Sequence, residues 1–151
     1  MTAAEFWFYH LESQPLHAVL PVLVEKTLSR NWRALLRFST EERLETMDGA
    51  LWTYREDSFL PHGTSRDGPP ERQPVFLTTD GGNPNGAQVL FLLETATESE
   101  PASFARVIRL FDGADGEARA LAREEWKTAK AAGLKVSYWR QDDSGAWKKS
   151  G

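Results

Sequence analysis

The sequence predicts an α/β fold: one three-layer sandwich built on a mainly parallel sheet. Two observations lead there. Apolar runs of strand length alternate with amphipathic helical segments, the pattern of parallel strands joined by crossovers. The chain has 151 residues, 40% of them hydrophobic and 26% charged, enough for one domain with a real core and short for two. It contains no internal repeat and no low-complexity tract.

The elements follow in order. EFWFYHL, residues 5–11, reads as a buried first strand rich in aromatics. In residues 15–31, Leu16, Val19, Leu20, Leu23, Val24 and Leu28 recur at spacings of three and four, predicting an amphipathic helix. Pro21 lies inside it and is expected to kink the first turns or delay the start. RALLRFS (33–39) is the second strand. Ser39 followed by Glu42 makes a capping-box pattern for a helix over 40–51. Residues 63–73, GTSRDGPPERQ, are a turn-rich loop. PVFLTT (74–79) and AQVLFLLE (87–94) are strands separated by the turn material DGGNPNG, and ARVIRLF (105–111) is another. Residues 115–132 form a helix capped by Asp115 and stopped by Gly133 in a left-handed conformation. GLKVSYW (133–139) is the last strand. Residues 1–140 then make one α/β domain, and 141–151 a polar, frayed tail.

Composition narrows the function. There are no cysteines, which excludes disulfides, thiolate metal sites and cysteine nucleophiles and fits a reducing cytoplasm. The opening residues show no signal peptide, and no run approaches the ~20 apolar residues that cross a bilayer. The net charge is −4, the wrong sign for general duplex binding. Neither a Gly-x-x-x-x-Gly-Lys-Ser/Thr loop nor a Gly-x-Gly-x-x-Gly turn is present, and LESQP stands where the latter belongs. His10, His17 and His62 lack metal-site spacing, and Ser58 lacks a nucleophile elbow. No cofactor is implied.

Two constellations look like binding surfaces. On a wheel of about 100° per residue, Ala114, Ala118, Leu121, Ala122, Ala129 and Ala132 of the 115–132 helix share a core-facing arc. Arg119, Arg123, Lys127 and Lys130 share another, with Trp126 on the seam. Cations beside a half-committed indole suit an acidic peptide with an apolar anchor. The bland reading is a solvated helix face. The second constellation is LWTYREDSFLPHG (51–63), where Trp52, Tyr54, Phe59 and Leu60 crowd a segment expected to be a polar loop. Such a loop either folds back as a satellite cluster or offers an apolar patch to a partner.

Ala50-Leu51-Trp52 followed by Ser58-Phe59-Leu60-Pro61-His62 resembles the chi subunit family of bacterial DNA polymerase III. So do Pro74-Val75 opening a strand, Leu121-Ala122-Arg123-Glu124 with Trp126-Lys127, and the run from Ala132-Gly133 to Tyr138-Trp139. The order and spacing of the set cover nearly the whole chain. The resemblance implies a single Rossmann-like domain without a phosphate-binding loop, no catalytic residues, and a place in the cytoplasm. It implies an adaptor that links the clamp-loader complex to single-stranded DNA-binding protein by gripping that protein's acidic C-terminal tail. Arg119, Arg123, Trp126 and Lys127 would hold the tail, with Trp126 where the family has a tyrosine, and Lys130 joins them by its spacing on the same helix face. Leu51, Trp52, Phe59, Pro61 and His62 would meet the psi subunit or another clamp-loader component. The competing expectations are a nucleotide-binding hydrolase of similar fold and a direct single-stranded DNA binder.

Overall fold

A computed structural model describes residues 4–12, 14–52, 62–141, 144 and 146–149, with Trp52 described by its backbone alone. Seven strands form one sheet in the order β3-β2-β4-β5-β1-β6-β7. They are β1 (Glu5–Leu11), β2 (Ala34–Arg37), β3 (Val75–Thr78), β4 (Val89–Leu92), β5 (Arg106–Asp112), β6 (Lys135–Gln141) and β7 (Trp147–Lys149). All neighbours pair in parallel except β6 with β7. The helices are α1 (Leu16–Ser29), α2 (Glu41–Trp52) and α3 (Gly116–Ala131). The expected sandwich is therefore present, and it is Rossmann-like.

Strand alternation sorts the core into two layers. Tyr9, Leu11, Leu36, Phe91 and Leu110 face the helices α1 and α2. Phe6, Phe8, Leu35, Leu90 and Val107 face the other way, towards Ala122 and Ala129 of α3. The central strands are buried on both faces, which is why they read as continuous apolar runs.

Local signals set the helix ends. α1 starts at Leu16 after Pro15, and Pro21 lies within it as a buried residue, so the proline does not delay the start. Past the Arg30 cap, Asn31 adopts φ 60°, and the Asn31 and Trp32 amides donate to the Leu28 and Thr27 carbonyls. Gly133, at φ 83°, closes α3 in the same way, with Gly133 and Leu134 donating to Lys130 and Ala129. Asp115 caps α3, accepting from the Glu117 and Ala118 amides. The α2 cap is Thr40, whose hydroxyl accepts from the Arg43 amide at 3.2 Å, one residue later than the sequence pattern placed it.

Two further expectations need correction. The tail expected to be frayed contains β7, whose Trp147 packs edge-on against Tyr9 with ring centres 4.8 Å apart. In an otherwise polar tail, the packing of one amphipathic indole accompanies the added edge strand. On α3, Ala114 and Ala132 are exposed because they lie beyond the helix ends, and the buried alanines are Ala122 and Ala129.

The connections from β3 to β4 and from β4 to β5 contain no α-helix. Arginines from the sheet hold them instead. Arg37 donates to the Asp80, Gly82 and Thr97 carbonyls and pairs with Glu98 at 2.7 Å. Arg109, fully buried, donates to the Glu94 and Ala96 carbonyls and pairs with Glu125 of α3 at 2.7 Å. Loop carbonyls lacking a ladder are thereby satisfied by charge-assisted bonds.

Candidate functional site

The cationic stripe lies on α3. Arg119, Arg123, Lys127 and Lys130 are all exposed. Lys127 makes only a long, exposed contact with Glu124, at 3.7 Å. Such a pair is screened and weak, so Lys127 stays available for a ligand. Arg119, Arg123 and Lys130 have no ion pair among the described residues. Trp126 is half-buried, with its ring centre 5.6 Å from Phe8 and 6.0 Å from Tyr138, edge-on to the latter. The seam position read from the wheel is thus where the indole sits, with one side on the β1–β6 aromatics and its rim open.

Tyr138 and His10 extend this floor. The Tyr138 hydroxyl lies 2.7 Å from His10 Nδ1, and His10 Nε2 lies 3.5 Å from Glu12. Glu12 in turn accepts from Arg140. An Nε2–H directed at Glu12 leaves Nδ1 to accept from the tyrosine. The imidazole lies over Gly113, where a Cβ would come within 1.9 Å of Nε2, so a side chain there would push the imidazole out of this position. Burial lowers the His10 pKa, against a smaller opposing effect from Glu12. Burial raises the Tyr138 pKa, and Arg140, Arg123 and Arg119 all act against that rise. Three guanidinium groups therefore project their field onto one tyrosine beside Trp126. Sequence reasoning missed Arg140, His10 and Phe8 as parts of this face. The signal available was the alternation of β6, which puts Tyr138 towards α3.

The second constellation is only partly described. Phe59, Pro61 and the Trp52 side chain lie outside the described residues. Leu51, expected at a partner surface, is buried in the α1–α2 layer at 2% exposure, so it supports the end of α2 from behind. His62 is also buried, its Nε2 3.1 Å from the Asp48 carboxylate of α2. Gly63 then pairs with the β3 edge, its amide donating to Val75 and its carbonyl accepting from Leu77. The described residues on either side of 53–61 thus lie at the end of α2 and at the outer edge of the sheet.

β1 leads to β2 on one side of the sheet and β5 leads to β6 on the other, so the topological switch point lies between β1 and β5. In open α/β folds that crevice binds nucleotides. Here a cavity of about 440 Å³ occupies it, and Glu12, Glu94, Asp112, Asp115 and Glu117 line it opposite Arg43. The first amides of α3 are taken by Asp115. A phosphate would meet carboxylates where it needs donors.

The family model described as DNA polymerase III chi subunit, HolC, matches residues 1–137 of this chain. A protein of Rickettsia prowazekii (strain Madrid E) named probable DNA polymerase III subunit chi is 27% identical over 106 residues, covering 70% of this chain and 61% of that protein. DNA polymerase III subunit chi of Escherichia coli (strain K12) is 26% identical over 125 residues, covering 78% of this chain and 84% of that protein. The chain thus spans about three-fifths of the length of the Rickettsia relative.

Proposed function

Since this chain belongs to the DNA polymerase III chi subunit family, we propose that it is a non-catalytic adaptor of the replicative holoenzyme. It links the clamp-loader complex to single-stranded DNA-binding protein by holding the acidic C-terminal tail of the latter. The observation that carries this reading is the α3 face: four exposed cations along one side of a helix whose Trp126 is seated on Phe8 and Tyr138. A chain end with carboxylates and one apolar aromatic matches it. The guanidinium groups of Arg119 and Arg123 grip carboxylates in pairs, the lysines add field, and the indole covers the apolar side chain. The acidic crevice at the switch point supports a protein-binding role over a nucleotide hydrolase.

The other partner, psi or another clamp-loader component, docks on the segment that follows α2. Trp52, Phe59 and Pro61 supply the contact, with Leu51 and His62 fixing the segment's two ends.

The test is a titration with a labelled acidic peptide ending in phenylalanine with a free carboxylate. Binding is expected at micromolar strength, about −7 to −8 kcal/mol, and weaker as salt rises. Arg123→Ala is expected to cost about 1–3 kcal/mol through a lost charged hydrogen bond. Unchanged binding by that variant would remove the assignment.

A further inference from the structure

A second surface lies on the opposite face of the sheet. On that face a cavity of about 440 Å³ remains between α1 and strands β1, β5, β6 and β7. Its walls are the half-buried indoles of Trp7, Trp139 and Trp147 with Tyr9, closed on the α1 side by Lys26 and Arg30. Both cations are exposed and make no ion pair among the described residues, and the Arg30 guanidinium also lies 4.9 Å over the Trp32 ring. Lys149 stands directly opposite Trp139 in the β6–β7 register, on the same face, and adds a third charge. The floor cation Arg106 is already committed, 3.0 Å from Glu5 and stacked 3.8 Å over Trp7. In a chain of net charge −4, this is a local basic rim around an apolar hollow.

We infer that this hollow is a second peptide-docking site, for an acidic segment that inserts one apolar or aromatic side chain. Charge selects the acidic flanks and concavity selects the anchor. Ring geometry decides against a nucleic acid strand. Base stacking needs open ring faces, but Arg106 covers one face of Trp7, and Tyr9 and Trp139 stack on each other at 11°. The cations also edge a single hollow instead of tracking an extended backbone. The site is independent of the α3 face, which lies across the sheet.

The probe is a labelled acidic peptide with one internal phenylalanine and an amidated C-terminus, titrated into the full chain and followed by anisotropy. The double variant Lys26→Glu/Arg30→Glu, on exposed positions of α1, is expected to bind roughly tenfold more weakly or worse. The comparison is made in the Arg119→Ala/Arg123→Ala background, which weakens the α3 face, so that the binding remaining there reports the hollow. A matching melting curve confirms that the charge reversal leaves the fold intact. Equal binding with and without Lys26→Glu/Arg30→Glu in that background overturns the proposal, as does complete loss of binding in Arg119→Ala/Arg123→Ala alone. A thymidine oligomer that outcompetes the peptide, and that the α1 double variant no longer binds, assigns the hollow to nucleic acid and overturns it equally.

Discussion

Arg109 carries a full charge at 0% exposure, and Glu125 meets it from α3. Removing one partner strands the other, so Glu125→Ala is expected to cost about 3–5 kcal/mol in urea unfolding. Replacing both, as Arg109→Met/Glu125→Leu, is expected to recover most of that loss, since a buried pair gains little over packed apolar groups. A double variant no better than the single would show that the loop carbonyls of Glu94 and Ala96 dominate. His10 gives a second residue-scale prediction. Its pKa is lowered chiefly by burial, so the folded state favours the neutral ring. The resulting stability is full above the ordinary value of about 6.5 and is lost as pH falls through the lower folded value. Ring-proton NMR should place the His10 midpoint below 6.5; a midpoint above it would mean that Glu12 outweighs burial. Tyr9 behaves oppositely at the alkaline end. Burial pushes its phenol up to about 12, so stability is full below about pH 10 and falls as pH rises towards 12, by about 2–3 kcal/mol. Absorbance at the phenolate band during alkaline unfolding checks this.

At the scale of elements, α3 shows what a wheel can and cannot reveal. Its charge stripe, the Trp126 seam, the Asp115 cap and the Gly133 stop were all legible, because each depends on spacing within one segment. Asp115→Ala is expected to destabilise by about 0.5–2 kcal/mol as two amides lose their acceptor, which thermal melts will read. Glu125 was not legible as a half-buried group facing the sheet. It occupies the core-facing stripe with Ala118, Ala122 and Ala129, and its presence there makes sense only beside Arg109, an arginine set inside an otherwise apolar strand. Arg37 was hidden in the same way, since its acceptors lie more than forty residues away. The floor of the α3 face needed the strand order as well. His10 meets Tyr138 only because β1 and β6 are neighbours in the sheet, which the sequence order of the two strands does not reveal. β7 escaped notice because three residues holding one tryptophan carry too short a pattern to read as a strand.

For the whole molecule, the sheet separates the proposed partners. The α3 face rests on Phe6, Phe8 and Val107, whereas α2 rests on the opposite layer and ends near the β3 edge of the sheet. No cation of α3 takes part in an ion pair or hydrogen bond with α2 among the described residues. Among the described residues, the two faces are linked through the packed sheet and share no ion pair or hydrogen bond through which binding at one would bias the other. The proposed adaptor would then join its partners by simultaneous occupancy alone. Trp52→Ala is therefore expected to abolish association with the clamp-loader side while leaving the tail peptide affinity unchanged within about 0.5 kcal/mol. Arg123→Ala is expected to do the reverse. Measured together, the double variant should lose both interactions additively, with a melting point set by the sum of the single effects. A tail affinity that moves with Trp52→Ala at an unchanged melting point would reveal coupling through the sheet and contradict this picture. A Trp52→Ala protein that unfolds would instead place that indole in the α1–α2 core beside Leu51, and the contact with the clamp loader would then fall to Phe59 and Pro61.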